Sequence, residues 1–251
     1  MALGALLEAG GDADLLRAGL AGIELGPWRL EVSTTTRAGI GATRVLVVAE
    51  GEQRPRPWGL VREQLEGADL PPRARAVAMA TFEALAGAEA RVHRVPLADV
   101  HLHEVGAVDS VVDVVGTALL LDQLGVATVT ASPVALGSGS VVTEHGTLPV
   151  PAPAVTELLR GAPVRAAGVN AELTTPTGAA ILAATVTDWG ELPAMRIDTV
   201  GYGAGARDHP SLANVLRVVV GERLPAGPGP APLTPHREGR PWRHQGQRPR
   251  P

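Results

Sequence analysis

Cysteine is absent from this chain, and so is lysine, since all 22 basic residues are arginine. Without cysteine there are no disulfides, no thiolate nucleophile and no sulfur-ligated metal, so any metal must be held by histidine nitrogen and carboxylate oxygen. Without lysine there is no Schiff base and no GKS or GKT ending of a phosphate-binding loop. Aromatic residues are scarce, with one Phe, one Tyr and four Trp, which leaves almost no stacking platform for unpaired bases. The formal net charge of −4 sets up no field that would draw in DNA or an anionic membrane. There is no run of about 18 apolar residues, and MALGALLEAGGDADLL has no basic segment ahead of its apolar stretch. The expectation is therefore a cytoplasmic chain with neither a membrane span nor a signal peptide, and with neither nucleic acid nor membrane as partner.

What is present is enough apolar material for a core: 45% of 251 residues are hydrophobic, mostly Ala, Val and Leu. The opening ALGALLEAG and GDADLLRAGLAGIEL read as two short helices, the second capped by Asp12 or Asp14. WRLEVSTTTR and ATRVLVVAE alternate as strands around Ala38-Gly39-Ile40-Gly41. GEQRPRPW reads as a proline-broken loop, and PPRARAVAMATFEALAGAEARVH is the strongest helix, with Pro71 and Pro72 at its start. DSVVDVVGTALLLDQL is apolar on nearly all sides and predicts a buried helix, although its β-branched run leaves a strand open for part of it. ATVTASPVAL reads as one strand, GSGSVVTEHGTLPVPAP as a long functional loop, and ELTTPTGAAILAATV as a Thr-capped helix with Pro176 in its first turn. MRIDTVGYGAG and NVLRVVVGE close the core as two strands, and GYGAGARD is read as a turn rather than a dinucleotide fingerprint. The fold class expected is α/β: one domain over residues 1–222 with a mixed sheet and packed helices, then a disordered Pro/Arg-rich tail over 223–251.

Chemistry concentrates at HLHEVGAVDSVVD. On an extended segment His101 and His103 share a face, and on the following helix Asp109 and Asp113 stand one above the other, four residues apart. Valines surround both carboxylates, and burying two like charges without partners costs several kcal/mol or forces protonation. A cation answers that demand. So does a plainer arrangement, with Asp109 capping the helix, His103 hydrogen-bonded in the core and Asp113 paired with an arginine. Five polar ligands within residues 101–113, with no basic residue among them, bring the two readings level. His145, beside Glu144 in the long loop, is a further ligand candidate. Thr174, Thr175, Thr177 and Gly178 surround a helix N-terminus whose free N–H groups suit a phosphate or carboxylate, though N-capping explains the threonines equally well.

Taken in order, HLHEVGAVDSVVDVVGTALLLDQLGV, SPVALGSGSVVTEHGTLPVPAPAVTELLRGAPV and AELTTPTGAAIL resemble the LarC family of nickel insertion proteins, from residue 1 to about 222. The resemblance implies a nickel insertase of the lyase or chelatase class. Its activity would be to insert Ni²⁺ into pyridinium-3,5-bisthiocarboxylic acid mononucleotide, closing one metal–carbon and two metal–sulfur bonds as CTP is hydrolysed with Mn²⁺ or Mg²⁺. On that reading His101, His103, Asp109, Asp113 and His145 are metal ligands. Glu104, Asp109 and His145 are catalytic, and Thr174, Thr175, Thr177 and Gly178 hold the anionic end of the nucleotide.

The pattern departs from the family in three places. A strand and glycine-rich acidic turn usually precede the ALGALL helix, a histidine-rich run usually stands where GEQRPRPWGLVREQLEG is, and the CTP-binding domain would begin after about residue 222. The alternative function is therefore a non-catalytic metal-binding or scaffolding module served by a separate CTP-binding chain. A hydrolase using the His/Asp cluster on a divalent ion is a rival from another class, and a homo-oligomer is left open.

Overall fold

A computed structural model describes residues 1–50, 56–102, 107–209 and 211–225. The tail expected to be disordered lies outside them from residue 226 on, as do most of the GEQRPRPW segment and residues 103–106. In chain order the elements are α1 (Ala2–Glu8), α2 (Ala13–Leu20), β1 (Trp28–Arg37), β2 (Ile40–Ala49), β3 (Arg56–Pro57), α3 (Trp58–Gly67) and α4 (Pro72–His93). A 3-10 turn (Leu97–Asp99) leads to β4 (His101–Leu102), α5 (Val108–Gln123), β5 (Thr130–Ala131), β6 (Val134–Leu136), β7 (Ser140–Thr143) and β8 (Gly146–Pro149). The chain closes with α6 (Pro153–Leu158), β9 (Val164–Ala166), α7 (Pro176–Thr185), β10 (Asp188–Trp189), β11 (Met195–Ala204) and β12 (Val215–Arg223).

The main sheet is mixed, in the order β1-β2-β11-β12. Its outer pairs are antiparallel and its central pair, β2 with β11, is parallel, with Gly203 opposite Thr43. The β1–β2 hairpin turns on Ala38 and Gly39, both at positive φ (49° and 81°), the two-residue geometry that matches the twist of paired strands. Helix α2 is capped as the acidic run predicts, with the Asp12 carboxylate accepting from the N–H groups of Asp14 and Leu15.

Helix α5 is the centre of the core. Val108, Val111, Val112, Val114, Val115 and Leu120 are each at most 1% exposed, so the helical reading of this β-branched run holds all round the cylinder. Each such side chain contributes roughly 1.5–3 kcal/mol by leaving water, which outweighs the modest helix propensity of valine. Leu3 of α1 and Leu16 of α2 press onto Gly116 so closely that a Cβ there would lie 2.8 Å from both.

Three expectations need correction. The strand reading of MRIDTVGYGAG holds and the turn reading of GYGAGARD does not extend to its first glycines: Gly201 and Gly203 lie within β11, where a Cβ would meet Ala5 O at 2.0 Å and Met1 O at 1.9 Å, so these glycines let α1 lie directly on the sheet. ATVTASPVAL does not form one strand, because Pro133, which has no N–H to give, separates β5 from β6. The long loop is largely a hairpin, β7 paired with β8, with Glu144 and His145 at its tip. Helix α3, unforeseen beside the prolines, buries Trp58, Val61 and Leu65 on one face.

Candidate functional site

The helix directions set the N-termini of α5 and α7, which carry Asp109 and the threonine-rich turn, toward the C-terminus of α4. Arg73 and Val77 near the start of α4 line a shared cavity with Leu121 and Asp122 near the end of α5 and with Thr185 at the end of α7. Helix α4 therefore runs antiparallel to both, and its C-terminus, at His93, lies toward the N-termini of α5 and α7. One hydroxyl pair joins those two N-termini directly: Ser110 Oγ lies 3.4 Å from Thr177 Oγ1.

Asp109 occupies the first turn of α5, is exposed, and accepts from the N–H of Ser110 at 2.8 Å. Asp113 stands one turn further in and is partly buried. Burial raises its pKa above the ordinary carboxylate value, the α-ammonium of Met1 draws it down, and Asp109 pushes it up again. Among the described residues no arginine forms an ion pair with Asp113.

The threonine-rich turn is a helix cap in the first instance. Thr175 Oγ1 accepts from the Gly178 N–H at 3.2 Å, and Pro176 sits in the first turn, where its missing N–H costs nothing. Thr174 is tied elsewhere, donating to Ala135 O at 3.0 Å. Thr177 is the threonine of this group that faces α5.

His145 does not join the two aspartates. Its ring packs on His93, with centroids 4.8 Å apart and planes inclined at 47°, and His93 Nε2 lies 3.2 Å from Glu89 Oε2 one turn back along α4. His101 is exposed on β4, opposite Pro57, while its neighbour Leu102 is buried and opposite Arg56. His103 and Glu104 lie outside the described residues. Among the described residues no three His, Asp or Glu side chains converge on one point. The candidates stand instead as an aspartate pair and a histidine pair.

Two residues of this region were missed in the sequence. His93 closes the strongest helix, and a titratable residue at a helix C-terminus, where a cation is favoured, was the available signal. Arg56 brings a basic side chain to β4 from the proline-rich segment, a pairing that no local pattern announces.

The whole of this arrangement falls within one family match. A family model described as nickel insertion protein matches residues 1–242, about twenty residues beyond the extent anticipated from the motifs. The chain belongs to the nickel insertion protein family. It is 48% identical over 230 residues to a pyridinium-3,5-bisthiocarboxylic acid mononucleotide nickel insertion protein of a Nocardioides species, covering 92% of this chain and 58% of that one. A putative nickel insertion protein of Geotalea uraniireducens is 47% identical over 225 residues, covering 89% and 58% of the two chains. The mononucleotide nickel insertion protein of Geobacillus kaustophilus is 39% identical over 232 residues, covering 88% and 56%. The chain thus spans less than two thirds of the length of these relatives. No solved structure matches it. Among the described residues no helix is long and apolar enough to cross a membrane.

Proposed function

We propose that this chain carries the nickel-handling part of an insertase acting on pyridinium-3,5-bisthiocarboxylic acid mononucleotide, the activity in the names of its Nocardioides and Geobacillus relatives. Ni²⁺ is the cargo and the nucleotide the acceptor. The observation that carries the reading is Asp113, a partly buried carboxyl stacked beneath a second carboxylate, with the Met1 ammonium but no arginine beside it among the described residues. A divalent cation relieves both the desolvation and the repulsion of such a pair. His101 and Asp109 are exposed donors, with His145 on the β7–β8 hairpin.

Closing the metal–carbon bond requires the hydrogen on the ring carbon between the two thiocarboxylate groups to leave as a proton. Asp109 and His145 are the described candidates to accept it, and Glu104 is the sequence-based one. The nucleotide's phosphate suits the joined N-termini of α5 and α7, where Thr177 and the Gly178 turn present polar groups near the positive helix ends.

Incubating the chain with Ni²⁺, the thiolated mononucleotide, CTP and Mn²⁺, and following the nickel adduct by mass spectrometry, tests this directly. Adduct formation is expected, with at least a tenfold loss in Asp109→Asn and Asp113→Asn. A second reading is a module that works only with a separate CTP-binding chain, represented by the part of the Nocardioides relative with which this chain does not align. In that case adduct would form only when the unaligned part of that relative is supplied in trans, and turnover by this chain alone would exclude it.

A further inference from the structure

We propose that Thr117 is a positioning residue for Asp113: its hydroxyl donates to the Asp113 carboxylate when that carboxylate takes up Ni²⁺, and so decides which oxygen faces the ion. That Asp113 meets a cation rests on the insertase reading above; the role of Thr117 rests on an anomaly of its own. Thr117 is 3% exposed, and its Oγ1 has no hydrogen-bond partner among the described residues. A threonine inside a helix ordinarily has an acceptor within reach, the carbonyl one turn back. Thr81 on α4 uses it, donating to Val77 O at 2.8 Å, and Thr185 on α7 donates to Ile181 O at 2.6 Å. The Thr117 hydroxyl takes neither that carbonyl nor any other acceptor, and a bare hydroxyl in the interior costs more than a methyl group in its place. Valine would avoid that cost on a helix where Val108, Val111, Val112, Val114 and Val115 are already buried.

Its place on α5 says what the hydroxyl is for. Asp109, Asp113 and Thr117 follow one another at intervals of four residues, so they form one stripe along the helix. Side chains on a helix lean toward its N-terminus, which tips Thr117 toward Asp113 and Asp113 toward Asp109. The Cβ atoms of such neighbours stand about 5–6 Å apart, a gap that a hydroxyl turned up and a carboxylate turned down close to hydrogen-bond length. A cation beside Asp113 favours its carboxylate form, and a hydrogen bond to an ionised acceptor is roughly twice as strong as one to a neutral acceptor. With its lower oxygen held by Thr117, the carboxylate aims its upper oxygen into the space it shares with Asp109. Metal-bound carboxylates are commonly held by a further hydrogen bond of this kind, and losing it weakens metal binding by about 10–100-fold. Beside the stripe, Leu3 and Leu16 close on Gly116, which keeps bulk water from doing the work of the hydroxyl.

The test is Ni²⁺ alone titrated calorimetrically into the whole chain, with thermal melts of the same samples before metal is added. Thr117→Val keeps the branched shape and removes the donor. It should bind Ni²⁺ about tenfold more weakly while melting no lower than the unaltered chain, and Thr117→Ser, which returns the hydroxyl, should restore affinity to within about threefold. A residue that served packing alone would give the reverse, a lowered melting temperature with affinity kept. Should Thr117→Val melt lower, Thr117→Ala set against Thr117→Ser makes the same comparison of donor absent and donor present. In the Asp113→Asn background, Thr117→Val should have no further effect on affinity, because the charged acceptor it serves has gone. An equal tenfold loss in that background, or unchanged affinity in Thr117→Val, overturns the positioning role. If Asp113→Asn alone loses affinity in that case, the insertase reading stands without it. If Asp113→Asn binds as tightly as the unaltered chain, or the unaltered chain takes up no Ni²⁺, both fall.

Discussion

Ser110 Oγ and Thr177 Oγ1 stand 3.4 Å apart, so a hydroxyl pair joins the first turns of α5 and α7. Ser110 is 6% exposed, and removing its partner leaves the hydroxyl without that contact in a site where water has little access. Ser110→Ala and Thr177→Ala should therefore be non-additive. In a double-mutant cycle read by urea unfolding, a coupling of about 0.5–1.5 kcal/mol is expected, and strict additivity would show that the two helix ends are not joined this way.

Asp113 makes stability depend on pH in an unusual direction for a carboxylate. Its pKa is raised in the folded chain, so the folded state favours the protonated form. Stability on this account is fully present below the unfolded carboxylate value of 3.8 and is lost as pH rises through the folded value. Asp113→Asn removes that loss. Its melting temperature should exceed that of the unaltered chain at pH 8, by about 2–4 °C for each kcal/mol relieved, with the difference closing as pH falls below the carboxylate range. Equal melting curves at pH 8 would mean that the carboxyl is not strained by burial. Saturating Ni²⁺ should narrow the gap, because only the aspartate gains from the cation.

The aspartate pair was legible because a four-residue spacing on an apolar helix is a local pattern, and the hairpin, the long helix and the two closing strands were legible for the same reason. The histidine pair was not. His93 and His145 are 52 residues apart on a helix end and a hairpin tip, and nothing in either segment names the other. The strand glycines were misread for a related cause. A glycine that admits a packed helix looks in sequence like a glycine that permits a turn, and the difference lies in α1, some two hundred residues away.

Those glycines can be probed directly. Thr199 Oγ1 donates to Ala9 O at 2.8 Å, pinning α1 to β11 beside Gly201 and Gly203. Since a Cβ at either glycine would overlap a backbone atom of α1, the helix must lift off or the strand must bend. Gly203→Ala should destabilise the fold by about 2–4 kcal/mol, against less than about 1 kcal/mol for Gly59→Ala, where nothing lies within 4 Å of the added carbon. Similar costs for the two substitutions would show that α1 does not lie on the sheet this closely.

Arg37 poses the converse problem, a buried cation with no acid among its described partners. It is 8% exposed at the end of β1, and its Nε and Nη2 donate to Gly205 O at 3.0 and 2.7 Å. Nη2 also reaches Ala206 O, while Nη1 donates to Thr36 O at 2.9 Å and to Thr35 Oγ1 at 3.1 Å. The guanidinium fork therefore clamps the segment after β11 to the first hairpin, through carbonyls whose spacing suits a planar, five-donor group. Lysine keeps the charge but offers a single nitrogen and cannot span two separate carbonyl groups. Arg37→Lys should thus cost about 1–3 kcal/mol in urea unfolding, where a purely electrostatic role would predict near-neutrality. Limited proteolysis should then cut first within 205–214, the segment that the lost hydrogen bonds release.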